Sequence, residues 1–359
     1  MKLFLVGGFL GSGKTTAIAA AAKMLAAQRV SLAVITNDQG SQLVDSAFMD
    51  SLHIPASEVK NGCFCCNYDQ FYSTMQHLKT AGHPDIIFAE AAGSCADLVA
   101  TIVKPLSRFD PHIDVHLSIF ADGPVLLSSL EGRSSFVNDN IQYIYKKQLE
   151  EAGIIVINKI DLLTGDEMEK IESILGTEYP GKKLLFQDSR SETSIEKWLR
   201  AMDEDSGKHM GTPDIDYKKY GAGEAALAWL DASFNIYSRG KGVEKAQQLI
   251  EELFSEICFQ RLPIAHLKFF LQSGNWRKKF SYTSNKSLNE DHSMNDIVAD
   301  HVSVIVNARV ETSPDQLKKI FCQSIKKIEA ENARIDMRNL DSFQPGYPKP
   351  THRLSNDVI

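Results

Sequence analysis

Gly8-Phe9-Leu10-Gly11-Ser12-Gly13-Lys14-Thr15 has the spacing G-x-x-x-x-G-K-[ST], between an apolar run and an alanine-rich one. Glycines at these positions let backbone N–H groups turn toward phosphate oxygens, and a helix start adds positive potential there. Gly8, Gly11, Ser12, Gly13, Lys14, Thr15 and Thr16 are therefore the expected phosphate-binding residues. Lys14 would neutralise the β- and γ-phosphates as the catalytic cation, and the Thr15 hydroxyl would ligate Mg²⁺. Further along, Ile154–Ile157 runs straight into Asn158-Lys159-Ile160-Asp161. A carboxylate at Asp161 suits guanine, whose N1–H and 2-amino group both donate. Adenine offers neither donor and would leave the charge unpaired. Two lost hydrogen bonds to a charged group imply discrimination of roughly 100-fold or more. Asn158, Lys159 and Asp161 are thus expected to read the base, and GTP is favoured over ATP.

Two acidic elements accompany these motifs. Ile86–Ala89 delivers Glu90 and then Ala91-Ala92-Gly93, placing a carboxylate where Mg²⁺ or the attacking water would sit. The Gly93 N–H would sense the γ-phosphate. Asn37-Asp38-Gln39-Gly40, followed by Asp45, suits a switch segment, so Asp38 or Glu90 supplies the acid beside Thr15. Between the two lies Gly62-Cys63-Phe64-Cys65-Cys66. Clustered thiolates at Cys63, Cys65 and Cys66 suit a soft or borderline ion such as Zn²⁺ and disfavour Mg²⁺. Three thiols leave a fourth position to be filled from elsewhere or kept open, which fits carriage and release. Cys95 is a further thiol just past Gly93, expected in the core rather than in the same cleft.

The elements that must position these residues follow from the apolar pattern. Strands are expected over 2–6, 31–36, 85–89, 115–121, 154–157 and 183–186. Helices are expected over 17–27, 70–79, 98–106, 141–150, 167–175 and 194–202. Uninterrupted apolar strands alternating with helices imply an α/β domain with a mostly parallel sheet, here assigned to residues 1–205. A polar stretch at 206–223 reads as a linker. Strand, helix, two strands, a polar loop, strand and helix then fill 224–335, the order of a ferredoxin-like α+β domain. Residues 336–359 read as an extended tail.

Composition bounds the partners. With 39 Lys and Arg against 46 Asp and Glu, the net charge is −7, which excludes a general nucleic-acid binder or a polybasic membrane-surface protein. No apolar run approaches the ~18 residues of a membrane span. Met1–Val6 lacks the basic start and cleavage site of a signal peptide. Six cysteines, three of them within four positions, point to a reducing cytoplasm and to metal or thiol chemistry.

In their order, the motifs at 7–16, 37–45, 62–66, 90–93 and 158–161 resemble the CobW-like GTPases. That family belongs to the SIMIBI class of P-loop proteins and is related to the urease and hydrogenase nickel-insertion GTPases. The resemblance extends over essentially the whole chain. It implies a GTP-hydrolysing metallochaperone or metal-insertase that takes Zn²⁺ or Co²⁺, dimerises with GTP and serves a client metalloprotein or cofactor enzyme. Some members are linked to cobalamin synthesis. A GTP-gated metal sensor or buffer without useful turnover, and a reactivator of a corrinoid enzyme, are the alternatives. The chain departs from the family at Asp38-Gln39, where Glu-Phe is usual, and at Ala91, where a hydroxyl residue is usual. The histidine-rich loop of many members is absent.

Overall fold

The computed structural model describes residues 1–37, 44–59, 62–133, 136–205, 210–284 and 297–354. The chain divides into two compact units. The first comprises 1–39, 52–223 and 347–359, and the second 40–51 and 224–346.

The first unit is built on seven strands: β1 (Lys2–Gly8), β2 (Leu32–Asn37), β3 (Ala56–Val59), β4 (Ile86–Glu90), β5 (Asp114–Asp122), β6 (Ile154–Asn158) and β7 (Lys183–Gln187). They lie in the order β3-β2-β4-β1-β5-β6-β7, and every neighbouring pair is parallel. β2 and β6 are buried along their whole length, as continuous apolar strands covered on both faces must be. Trp198, on the helix Glu192–Glu204, is fully buried, its ring 5.2 Å from Phe120 and 6.0 Å from Phe88. β3 was not expected from the sequence: it has four residues, Ala-Ser-Glu-Val, and only Val59 is buried.

The second unit holds β8 (Leu227–Tyr237), β9 (Ile264–Ser273), β10 (Trp276–Tyr282), β11 (His301–Glu311) and β12 (Arg334–Phe343). Their order is β10-β9-β11-β8-β12, and all pairs are antiparallel. Helices Gly242–Phe259 and Pro314–Ala330 pack their apolar stripes onto this sheet. The order β9-β11-β8-β12 is that of a split βαβ fold, with β10 added at the edge.

Two boundaries differ from expectation. Residues 334–343 form β12 rather than the start of a tail, paired with β8 through a register shift between Met337 and Asn339. Its Arg-Ile-Asp-Met-Arg pattern exposes every second residue, so an edge strand reads as polar chain. Within the stretch read as a linker, Tyr217–Ala225 is helical, and the first unit extends to Gly223.

The helix Val44–Ser51 belongs to the second unit. The Asn307 side chain accepts the Val44 N–H at 2.8 Å. Asp45, expected in a switch segment, is clamped by Lys268 at 2.6 Å and Lys279 at 2.7 Å. Burial alone would raise its carboxyl, but the two ammonium groups hold it well below the usual carboxylate range.

Candidate functional site

The loop after β1 depends on backbone that only glycine supplies. Gly8 has φ +120°, and a Cβ there would fall 2.1 Å from the Phe120 carbonyl oxygen. Gly13 has φ +92°, and its Cβ would meet Asn158 Nδ2 at 2.2 Å. The Ser12 hydroxyl donates to Phe9 O at 2.7 Å, which tightens the turn. Lys14 is buried, and its ammonium donates to the carbonyls of Gly8 at 2.7 Å and Phe9 at 3.1 Å. It is thereby held against the loop it is expected to serve. Thr16 is exposed at the start of the helix Lys14–Ala27.

Strand pairing brings the acid to this loop. Val6 of β1 lies in register with Glu90 of β4. The Thr15 hydroxyl donates to Glu90 Oε1 at 2.9 Å, and both residues are buried. A hydroxyl and a carboxylate side by side form a hard-oxygen donor pair of the kind Mg²⁺ takes. Gly93 packs directly on the loop, since a Cβ would stand 2.7 Å from a Leu10 methyl and 2.9 Å from its Cα. Asp38 and Gly40 lie outside the described residues.

Asn158 ends β6 and is buried. Its amide donates to Ser12 O at 2.8 Å, and its carbonyl accepts from the Ser189 hydroxyl at 2.8 Å. The base-reading strand end is thus tied to the phosphate loop by one side chain. Lys159 takes φ +63°, and its ammonium pairs with Asp122. Asp161 pairs with Arg190. Asp122, Ser189 and Arg190 were not anticipated from the sequence. Only Asp122 carried a signal, as a carboxylate ending an apolar strand, and it lies opposite Asn158 in the β5–β6 register.

The structure brings the three clustered cysteines together. Cys63, Cys65 and Cys66 present sulfurs that all lie within 4.8 Å of one another. Cys63 and Cys65 are buried, whereas Cys66 is partly exposed. The Cys63 and Cys65 sulfurs are 2.8 Å apart, and those of Cys65 and Cys66 are 3.9 Å apart. Phe64 anchors the loop in the core, its ring 4.4 Å from that of Phe71. The cluster shares its protons unequally. Hydrogen bonds from Cys65, Cys66 and Cys95 hold the Cys63 thiol well below its ordinary range. Bonding to Cys63 raises Cys65 well above that range and pushes Cys66 up to about 11. Cys95 is buried, as expected, yet its thiol also hydrogen-bonds to Cys63 and Cys65.

Asn37, read from the sequence only as the start of the Asn37–Gly40 switch motif, holds these parts together. As the last residue of β2, it donates to Val59 O at 3.1 Å and Gly62 O at 2.8 Å. Its carbonyl accepts from Phe64 N at 3.0 Å and Ala92 N at 3.4 Å. The cysteine loop and the segment after Glu90 therefore share one buried side chain. Gln148 supports the same segment, donating to Gly93 O at 3.1 Å and Cys95 O at 2.7 Å.

The family model CobW/HypB/UreG, nucleotide-binding domain, matches residues 2–186. Among related proteins, the zinc chaperone CobW of Pseudomonas aeruginosa is 23% identical over 220 residues, covering 54% of this chain and 58% of its own length. The zinc chaperone YeiR of Escherichia coli is 30% identical over 173 residues, covering 47% of this chain and 49% of its own length. The chain thus spans about half the length of these relatives. The solved structure of HypB from Helicobacter pylori in complex with nickel is similar over 59% of this chain and 91% of that one, at 12% identity and a TM-score of 0.42.

Proposed function

This chain belongs to the CobW/HypB/UreG family of nucleotide-binding domains, and from that membership we propose that it is a GTP-hydrolysing metallochaperone for Zn²⁺ or Co²⁺. Gly8–Thr16 cradles the phosphates, and Asn158, Lys159 and Asp161 read guanine. Thr15 and Glu90 would hold Mg²⁺, with Asp38 as a further candidate acid; the ion would neutralise phosphate charge as it develops. Lys14 supplies a fixed cation to the same charge, and Glu90 orients the attacking water. The cargo ion is seated on Cys63, Cys65 and Cys66, whose sulfurs all lie within 4.8 Å of one another, and the fourth position is left for a ligand from elsewhere. Among the described residues no helix is long and apolar enough to cross a membrane.

The observation that carries this reading is the Asn37 bracket. Its amide grips the backbone on both sides of Cys63, while its carbonyl also takes the Ala92 N–H, two residues beyond Glu90. A shift of the Glu90–Gly93 segment on γ-phosphate loss must therefore reach the thiols. Zn²⁺ affinity, measured by chelator competition with GDP and with a non-hydrolysable GTP analogue, tests the coupling. We expect affinities about tenfold apart, about 1.4 kcal/mol, and the same ratio in nucleotide affinity with and without Zn²⁺. Equal Zn²⁺ affinities in the two nucleotide states would reduce the chain to a GTPase that merely carries a metal.

A further inference from the structure

The stretch Tyr347-Pro348-Lys349-Pro350-Thr351-His352-Arg353-Leu354 belongs to the first unit, although in sequence it follows the second. Its two prolines fix φ and favour extended backbone at the residue before each, so the segment is preset for an extended path. They also remove two donors, which leaves Lys349 the sole backbone N–H of the Pro348–Pro350 triplet. That N–H donates to Cys66 Sγ at 3.1 Å. Thr351 follows, its N–H on Cys65 O at 2.9 Å and its hydroxyl on Cys66 O at 3.1 Å. Three donors thus fall on two consecutive cysteines.

Both flanks are anchored. Arg353 Nε donates to Asp97 Oδ2 at 2.7 Å, and that carboxylate, fully buried, also accepts from the Tyr217 hydroxyl at 2.7 Å. Leu354 N–H bonds to Ala100 O at 2.9 Å, and the His352 ring lies 4.9 Å from Tyr68 and 5.2 Å from Phe109. At the other end the Tyr347 ring lies over Gly221, where a Cβ would fall 2.3 Å from it. Burying a carboxylate to hold a tail arginine is costly unless the pairing is kept.

We propose that Tyr347–Leu354 is a strap that positions the thiol site, fixing the Cys65–Cys66 backbone and capping the Cys66 sulfur with the Lys349 N–H. Cys66 is the most accessible of the three thiols, so it is the ligand an acceptor displaces first. In that exchange an acceptor thiol gives up its proton as its sulfur bonds to the ion, the Cys66–ion bond breaks, and the proton passes through water to Cys66. No electrons move. The strap must lift for this to happen, so it sets the rate at which the ion leaves. The role in ion release rests on the metal reading above; the capping of Cys66 does not.

The test uses the full chain with Lys349→Pro, which deletes the N–H, Lys349→Ala, which keeps it, and Arg353→Ala, which frees the anchor. Iodoacetamide labelling of the metal-free protein, mapped by mass spectrometry, reads the Cys66 cap. Loss of Co²⁺ to EDTA reads release. We expect Arg353→Ala to speed both about tenfold by freeing the segment, Lys349→Pro to slow Cys66 labelling and speed Co²⁺ loss because it removes the donor that stabilises negative charge on the sulfur, and Lys349→Ala to match the wild type. Unchanged Cys66 labelling in Lys349→Pro, or equal labelling in the proline and alanine variants, would overturn the strap. Protein that labels as expected but never loads Co²⁺ would leave the cap standing and refute the metal reading.

Discussion

At the scale of single residues, two side chains separate the nucleotide and metal readings. Asp161 is the acceptor that guanine satisfies and adenine does not, and Arg190 pairs with it at the surface of the first unit. Asp161→Asn should shrink a GTP preference of roughly 100-fold to about tenfold or less, because one neutral acceptor replaces the charge. Competition of ATP against a fluorescent GTP analogue checks this, and an unchanged preference would move base recognition elsewhere. Cys95 decides the count of thiols. Cys95→Ser should weaken Co²⁺ binding about tenfold or more while leaving GTP affinity intact, since its sulfur bonds into the cluster. Identical Co²⁺ affinity and spectrum would return Cys95 to the core. The motif residues themselves were legible because their chemistry fixes both type and spacing. The bracketing role of Asn37 was not, because its work is done on the backbone of Gly62, Phe64 and Ala92, distant in sequence.

At the scale of elements, the parallel strands were readable wherever both faces are covered, and this explains the two omissions. β3 and β12 show apolar side chains on one face at most, so neither produces an apolar run. The tail was visible as proline-rich chain, but its docking was not, because a lone N–H aimed at a sulfur leaves no pattern in sequence. The bracket at the end of β2 is the element-level prediction. Asn37→Ala would strand the Gly62 carbonyl and Phe64 N–H, costing about 1–3 kcal/mol. Thermal unfolding should show a lowered midpoint, and Co²⁺ affinity should fall with it as the cysteine loop loosens. A variant with reduced stability but wild-type Co²⁺ affinity would mean that the bracket holds the fold and not the site.

At the scale of the whole molecule, charge and protonation make the predictions. The Asp45 carboxyl is held below its unfolded value by Lys268 and Lys279. Its clamp therefore stabilises the second unit fully above about pH 4 and is lost as the pH falls toward the folded value, so acid should unfold wild type and Asp45→Asn more alike than neutral pH does. Metal uptake runs the other way. Cys65 and Cys66 are raised and must lose their protons to bind, whereas Cys63 is already disposed to the thiolate. Uptake should therefore release protons, and affinity should climb with pH toward the thiol range. The measurement that tests the central claim most directly is a Co²⁺ titration followed by thiolate-to-cobalt absorption. The wild type should saturate at about one ion per chain with a tetrahedral thiolate spectrum, and the triple variant Cys63→Ser, Cys65→Ser, Cys66→Ser should show almost none of it. Equal signals from the two proteins would contradict the metallochaperone account and leave a nucleotide-binding protein of another purpose.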